Sequence, residues 1–189
     1  MSTKVITGKV RLGYVNAFVP RAMSDETEPK YSVMLIIDKD DAETLGKIKK
    51  AVESAKELGK EKVKEWKGRV PANLRLPIRD GAEKPDNPEL EGKYFMNVKS
   101  AIKPQVVKIV GGKLVEITDP AELYSGCYAK VSIGLYGYGR TGNNGIAAGL
   151  NNILFVEEGE PLGGSGASAM SDFADEAENQ ESTEDWMNG

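Results

Sequence analysis

Along residues 4–18 (KVITGKVRLGYVNAF) apolar side chains fall at Ile6, Val10, Leu12, Tyr14 and Phe18, while Lys9 and Arg11 take alternate positions. This period of two marks a half-exposed strand, with Lys9 and Arg11 facing solvent or a ligand. Residues 20–29 are polar and bounded by Pro20 and Pro29, which predicts a loop. The nearly unbroken apolar run that follows, 30–38 (KYSVMLIID), suits a buried strand. Asp40 with Glu43 three residues later reads as a helix N-cap, opening a helix in which Leu45, Ile48, Val52, Ala55 and Leu58 recur at three- and four-residue spacing. That helix runs to about Trp66 and is broken near Gly59, because glycine costs a helix interior about 1 kcal/mol relative to alanine. From 67 to 92, Pro71, Pro77, Pro85, Pro88 and the Asp80-Gly81 turn predict a long connection with one short extended piece at 74–78. Strands are predicted at 93–100, 105–110, 114–117, 128–138 and 146–156, with Gly111-Gly112 as a hairpin turn. The sum is a mainly β (α+β) domain over residues 1–157 with a long helix inserted after the second strand. Residues 158–189 are too polar to offset the entropy of ordering, which predicts a disordered acidic tail.

A chain of 189 residues holds one substantial core plus a tail. It has no histidine and a single cysteine, Cys127, which excludes Ser-His and Cys-His nucleophile pairs, histidine general bases, Cys/His zinc cages and an internal disulfide. No stretch approaches the roughly 18 apolar residues of a membrane span, and the start (MSTKVITGKV) lacks a signal-peptide apolar core, so a cytoplasmic protein with no membrane partner is expected. The net charge of −4 conceals a strong asymmetry. All 25 Lys and Arg lie at or before Arg140, whereas 10 of the 29 Asp and Glu fall in residues 157–189, so the body carries +6 and the last 33 residues −10. A basic body with an acidic tail points to a polyanion partner and to a tail that competes for that surface or recruits other proteins.

In the strand at 127–138, alternation places Cys127, Ala129, Val131, Ile133 and Leu135 on one face and Tyr128, Lys130, Ser132, Tyr136 and Tyr138 on the other, with Arg140 on the same parity beyond it. Aromatic rings stack on bases for about 1–3 kcal/mol each, and neighbouring cations neutralise phosphate. The same tyrosines equally suit packing beneath the helix or cross-strand pairing. Phe95, flanked on its face by Lys93 and Lys99, is a second candidate platform, or else a contact for the helix or a partner.

Gly137 to Gly142 (GYGRTG) has dinucleotide-fingerprint spacing, but turn residues follow where a helix is required. A flexible hairpin, carrying Tyr138 and Arg140 and able to close over a nucleic-acid strand, is the better reading. Pro85-Asp86 and Glu91-Gly92-Lys93 resemble a metal-dependent nuclease pattern, with spacing too tight for two carboxylates to share one Mg²⁺. Asp38, Asp40, Asp41 and Glu43 gather where a helix dipole attracts acids without any ion. No catalytic residue, metal ligand or cofactor is therefore expected. In the tail, Phe173 and Trp186 are large rings set among acids, the pattern of short docking peptides.

Four segments carry a resemblance: Pro29-Lys30-Tyr31-Ser32, residues 76–81 (LPIRDG), residues 124–128 (YSGCY) and residues 145–152 (GIAAGLNN). Together the chain resembles the bacteriophage single-stranded DNA-binding proteins built on an OB-fold, over most of residues 4–163. The resemblance implies an OB-fold-like antiparallel β-barrel with an inserted helix, binding single-stranded DNA with little sequence preference during phage replication or recombination. Related proteins end an acidic tail on a terminal aromatic; this chain ends Trp186-Met187-Asn188-Gly189, leaving Phe173 and Trp186 as the rings for replication or recombination partners. The expected interface has Lys9, Arg11, Lys30, Lys99, Lys130 and Arg140 on phosphates and Phe95, Tyr128, Tyr136 and Tyr138 on bases. The alternatives are a non-enzymatic adaptor acting through its tail and a metal-dependent nuclease.

Overall fold

The computed structural model describes residues 2–22, 28–140 and 142–162. Phe173 and Trp186 lie outside the described residues. Nine strands and one long helix follow in the order β1 (Lys4–Ile6), β2 (Val10–Arg21), β3 (Lys30–Asp38), α1 (Ala42–Lys62), β4 (Ile78–Asp80), β5 (Lys93–Ser100), β6 (Gln105–Val110), β7 (Lys113–Glu116), β8 (Tyr128–Arg140) and β9 (Asn143–Glu157). The expected first strand is two strands, so the helix follows the third rather than the second. Its break at Gly8 puts Val5 and Thr7 inside and leaves Ile6 exposed, opposite to a single unbroken alternation.

The pairings β2-β3-β5-β9-β8-β2 close a ring of five strands, with β1 flanking β8, β4 flanking β5, and the β6–β7 hairpin extending from β9. The ring is not wholly antiparallel as expected: β9 runs parallel to β5 at Lys99↔Gly149 and parallel to β6. Inside it lie Leu12, Val33, Leu35, Ile37, Met96, Val98, Ala129, Val131, Ile133 and Ile153, the inward parity of each strand. Buried Cys127 lies just before β8 in the same core. Among the described residues no helix is long and apolar enough to cross a membrane.

Helix α1 lies against β8 and β1, burying Ile48, Ala51, Val52 and Ala55 from one stripe. Its N-cap is Asp41, one residue beyond the expected Asp40: the Asp41 carboxylate accepts the Thr44 N–H at 3.2 Å. The helix ends at Lys62 rather than Trp66, and it passes unbroken through Gly59. Gly59 is tolerated there because the buried Trp66 ring, folded back by the 3₁₀ turn Lys64–Trp66, lies where a Cβ would stand. On its other side that ring meets Gly137, at which a Cβ would lie 2.8 Å from Trp66 Cη2, and Trp66 Nε1 donates to the Tyr138 carbonyl at 3.1 Å. Gly137 of the dinucleotide-like run thus seats an indole. The run is also no flexible loop, since β8 and β9 remain paired out to Arg140↔Asn143.

Candidate nucleic-acid interface

Residues directly opposite in neighbouring strands share a face. On the outer face of β8, β2, β3 and β5 one row therefore runs Tyr128–Arg11–Ile36–Phe95 and on to Arg79 of β4. Farther along the same face come Met34 beside Asn97, and then Asn16–Ser32–Lys99. The two halves of this face have different fates.

The apolar half is covered by the chain itself. Met34, Ile36, Phe95 and Leu90 form a second buried cluster, separate from the ring interior, and Leu162 packs on it. Phe95 is 0% exposed, so the expected stacking platform has no free face for a base. The charges of Arg79 and Lys84 sit 5.3 and 5.5 Å from its ring centroid, in cation–π range. Phe95 places cations instead of stacking a base.

Residues 157–162 form a strap over the neighbouring part of this face. Lys9 Nζ pairs with Glu157 at 2.7 Å, and that hydrogen bond raises the lysine pKa above its ordinary value. Arg11 donates to the carbonyls of Gly126 (3.1 Å) and Glu160 (2.6 Å), while Tyr128 lies beneath both cations, 5.5 and 5.9 Å from its centroid. Tyr124 Oη donates to the Gly159 carbonyl and accepts the Gly159 N–H, and the Leu162 N–H reaches the Ser125 carbonyl. Gly126 has φ 113°, which disfavours any side chain, and the Glu160 backbone occupies the place of its missing Cβ. The Tyr-Ser-Gly-Cys-Tyr run at 124–128 is thus the seat of the strap, and the bonded body continues to Leu162, past the boundary expected at Glu157. Lys9, Arg11 and Tyr128 come together here, engaged by the protein's own chain.

The polar half remains open as a groove of about 1300 Å³, floored by Ser32, Met34 and Asn97 and walled by residues 75–79, which run alongside β9. Arg21, Lys30, Arg75, Arg79, Lys84 and Lys99 line it, against a single acid, Glu83. Glu83 is engaged twice over, pairing with Arg79 at 3.1 Å and accepting the Asp80 N–H. Asp80 fixes this wall: it caps the 3₁₀ turn Gly81–Glu83 and pairs with Lys39 at 2.9 Å. The hydrogen bond from Lys39, followed by that from the Ala82 N–H, holds the Asp80 carboxyl below its ordinary pKa. A concave wall of cations over polar side chains accommodates a single polyanionic strand.

Of the ten expected contacts in the body, Lys30, Lys99 and Tyr138 line this groove. The Tyr138 hydroxyl reaches over Gly145, its cross-strand partner. Lys130, Tyr136 and Arg140 are exposed along β8 outside the groove lining. Sequence reasoning missed Arg21, Arg75, Arg79 and Lys84. The available signal for three of them was basic residues spaced through a proline-rich stretch otherwise read as a connection. Among the described residues, no group of three or more acidic or cysteine side chains is placed to hold a metal ion.

Comparison with known proteins places this architecture. The family model described as the ssDNA-binding protein of Enterobacter phage Enc34 matches residues 3–183. A solved structure of the single-stranded DNA-binding protein from bacteriophage Enc34 in complex with ssDNA is similar, with 26% identity, TM-score 0.72, and coverage of 85% of this chain and 90% of that one. The crystal structure of gp2.5, a single-stranded DNA-binding protein encoded by bacteriophage T7, shares the fold at 17% identity and TM-score 0.62, covering 89% of this chain and 95% of that one. Protein p50 of Acyrthosiphon pisum secondary endosymbiont phage 1 is 24% identical over 175 residues, 91% of this chain and 93% of that protein.

Proposed function

Because the chain belongs to the family of the Enterobacter phage Enc34 ssDNA-binding protein, we propose that it binds single-stranded DNA, without sequence preference, in the groove on the outer face of β2, β3 and β5. The observation that carries this reading is the groove's asymmetry of charge: six cations line it against one acid, and that acid is itself paired. Phosphates bind Arg21, Lys30, Arg75, Arg79, Lys84 and Lys99, and Tyr138 offers a ring at the β9 side. Lys130, Tyr136 and Arg140 extend the surface along β8 for a longer strand. Lys9, Arg11 and Tyr128 hold the strap, and Phe95 anchors two of the cations.

The closed five-strand ring supports an OB-type barrel, with α1 placed between its second and third ring strands. The protein carries out no reaction on this reading; it covers and protects single strands in the host cytoplasm during phage replication or recombination. The acidic tail then either competes with DNA for the groove or recruits replication and recombination proteins through Phe173 and Trp186. Support for competition comes from the end of the strap: Leu162 packs on Met34, which also lines the groove, so the tail leaves the body on the groove's own face.

Fluorescence anisotropy of a labelled oligothymidine strand tests this with the full chain and with a chain ending at Leu162. Tight binding that duplex DNA does not displace is expected, with log affinity falling against log salt at a slope of about −4 if six phosphates are neutralised. Tighter binding by the shortened chain at low salt supports competition by the tail. Absence of binding by both chains would overturn the reading.

A further inference from the structure

Tyr14 is a ring that the groove holds ready. It lines the groove and is 42% exposed, although it belongs to a strand whose neighbouring residues Leu12 and Ala17 are buried. Its φ is 46°, in the left-handed region, and it and Lys67 are the described non-glycine residues with positive φ. An aromatic residue adopts that conformation only when its surroundings impose it, and such strain concentrates at ligand-binding sites.

The surroundings here do impose it. The register of β2 against β3 slips between Gly13 and Asn16, which lifts Tyr14 out of the alternation. On one side the Asn16 side-chain amide donates to the Tyr14 carbonyl at 3.1 Å; on the other the Val15 N–H donates to Oγ of buried Ser125 at 3.1 Å. The far end of the ring is tied as well, since Asn87 Nδ2 donates to the phenolic oxygen at 2.7 Å and also to Glu89 Oε1 at 3.1 Å. Backbone and ring are thus restrained from three separate segments. The side chain itself remains nearly half exposed, among Asn16, Ser32, Lys84 and Arg79.

Resting on the single-stranded DNA reading of the groove, we propose that Tyr14 is a pre-set platform on which one nucleobase stacks and that Asn87 is the residue positioning its ring. A ring fixed before binding loses little rotational freedom when a base arrives, so the stacking energy is retained as affinity. The flanking Lys84 and Arg79 hold the adjacent phosphates and leave recognition of the base to the ring, which accepts any of the four.

The test compares oligothymidine with an abasic strand of the same length, which keeps the phosphates and removes the rings. Tyr14→Gly is the informative variant, because glycine adopts φ 46° without strain and thermal melting verifies that the fold is kept. Tyr14→Gly is expected to weaken oligothymidine binding about 10-fold, leave abasic-strand binding unchanged, and leave the salt slope unchanged. Asn87→Ala and Tyr14→Phe are each expected to give a smaller loss on oligothymidine, and the double variant to lose no more than either alone. Wild-type affinity for oligothymidine in Tyr14→Gly, or an equal loss on both strands, would overturn the platform; additive losses in the double variant would overturn the role of Asn87. Failure of the unmodified protein to bind oligothymidine removes the single-stranded DNA reading itself and so is distinguishable from failure of Tyr14.

Discussion

Phe95 lies on one strand face with Lys93 and Lys99 in sequence, and beneath Arg79 and Lys84 in space. Its alternation was legible, since it does share the outer face with Asn97 and Lys99, but alternation cannot report that Leu90 and Leu162 fold over that face. Cys127 is the converse case: a lone thiol that composition marked as unreactive for want of partners proves buried in the ring core. Burial pushes its pKa up from the ordinary thiol value. In the alkaline range above about 8.5 the unfolded chain sheds a proton that the native chain keeps, so stability falls as pH rises there. A thiol-alkylating reagent at pH 8 is accordingly expected to modify Cys127 rapidly in denaturant and only at the opening rate in native buffer, as mass spectrometry would show; equal rates in both would contradict a buried thiol.

Helix α1 illustrates what periodicity reads well and what it misses. Its buried stripe at Ile48, Val52 and Ala55 was visible, and so was its acidic start, while its end was misplaced because Trp66 belongs to a turn that folds back on the helix. The two glycines of α1 separate propensity from packing. Gly46 has open space where a Cβ would stand, so Gly46→Ala is expected to stabilise the protein by up to about 1 kcal/mol. Gly59→Ala gains the same propensity but drives a methyl into the Trp66 ring, and a net loss of about 1–3 kcal/mol is expected. Chemical denaturation of both variants checks the pair; stabilisation by both would show that Trp66 yields at little cost.

The arrangement of the whole molecule is one continuous sheet face divided by the protein's own chain. The strap of residues 157–162 closes the half containing Arg11, Ile36 and Phe95, leaving the half containing Asn16, Ser32 and Lys99 open. A chain ending at Glu157 loses the contacts of Gly159, Glu160 and Leu162 and uncovers the Phe95 cluster, whereas a chain ending at Leu162 keeps them. The first is expected to melt several degrees lower than the full chain and the second to melt with it, as differential scanning calorimetry would detect. Equal midpoints for the two would show that the strap contributes nothing to the body.

Much of the architecture was determined by local order in the sequence. Strands β3, β5, β6 and β8, helix α1 and the inward face Ala129, Val131, Ile133 and Leu135 all follow from period-two and period-3.6 patterning, because burial of one face imposes that pattern directly. The charge asymmetry between body and tail was likewise open to counting. Tertiary structure alone decided which exposed residues meet. Arg75, Arg79 and Lys84 enter the groove because their loop folds beside β9 and β5, and Tyr14 leaves the strand alternation because a bulge and hydrogen bonds from distant segments hold it out. Those contacts join residues far apart in the chain, and a periodic pattern carries no information about which distant segment will lie across a given face.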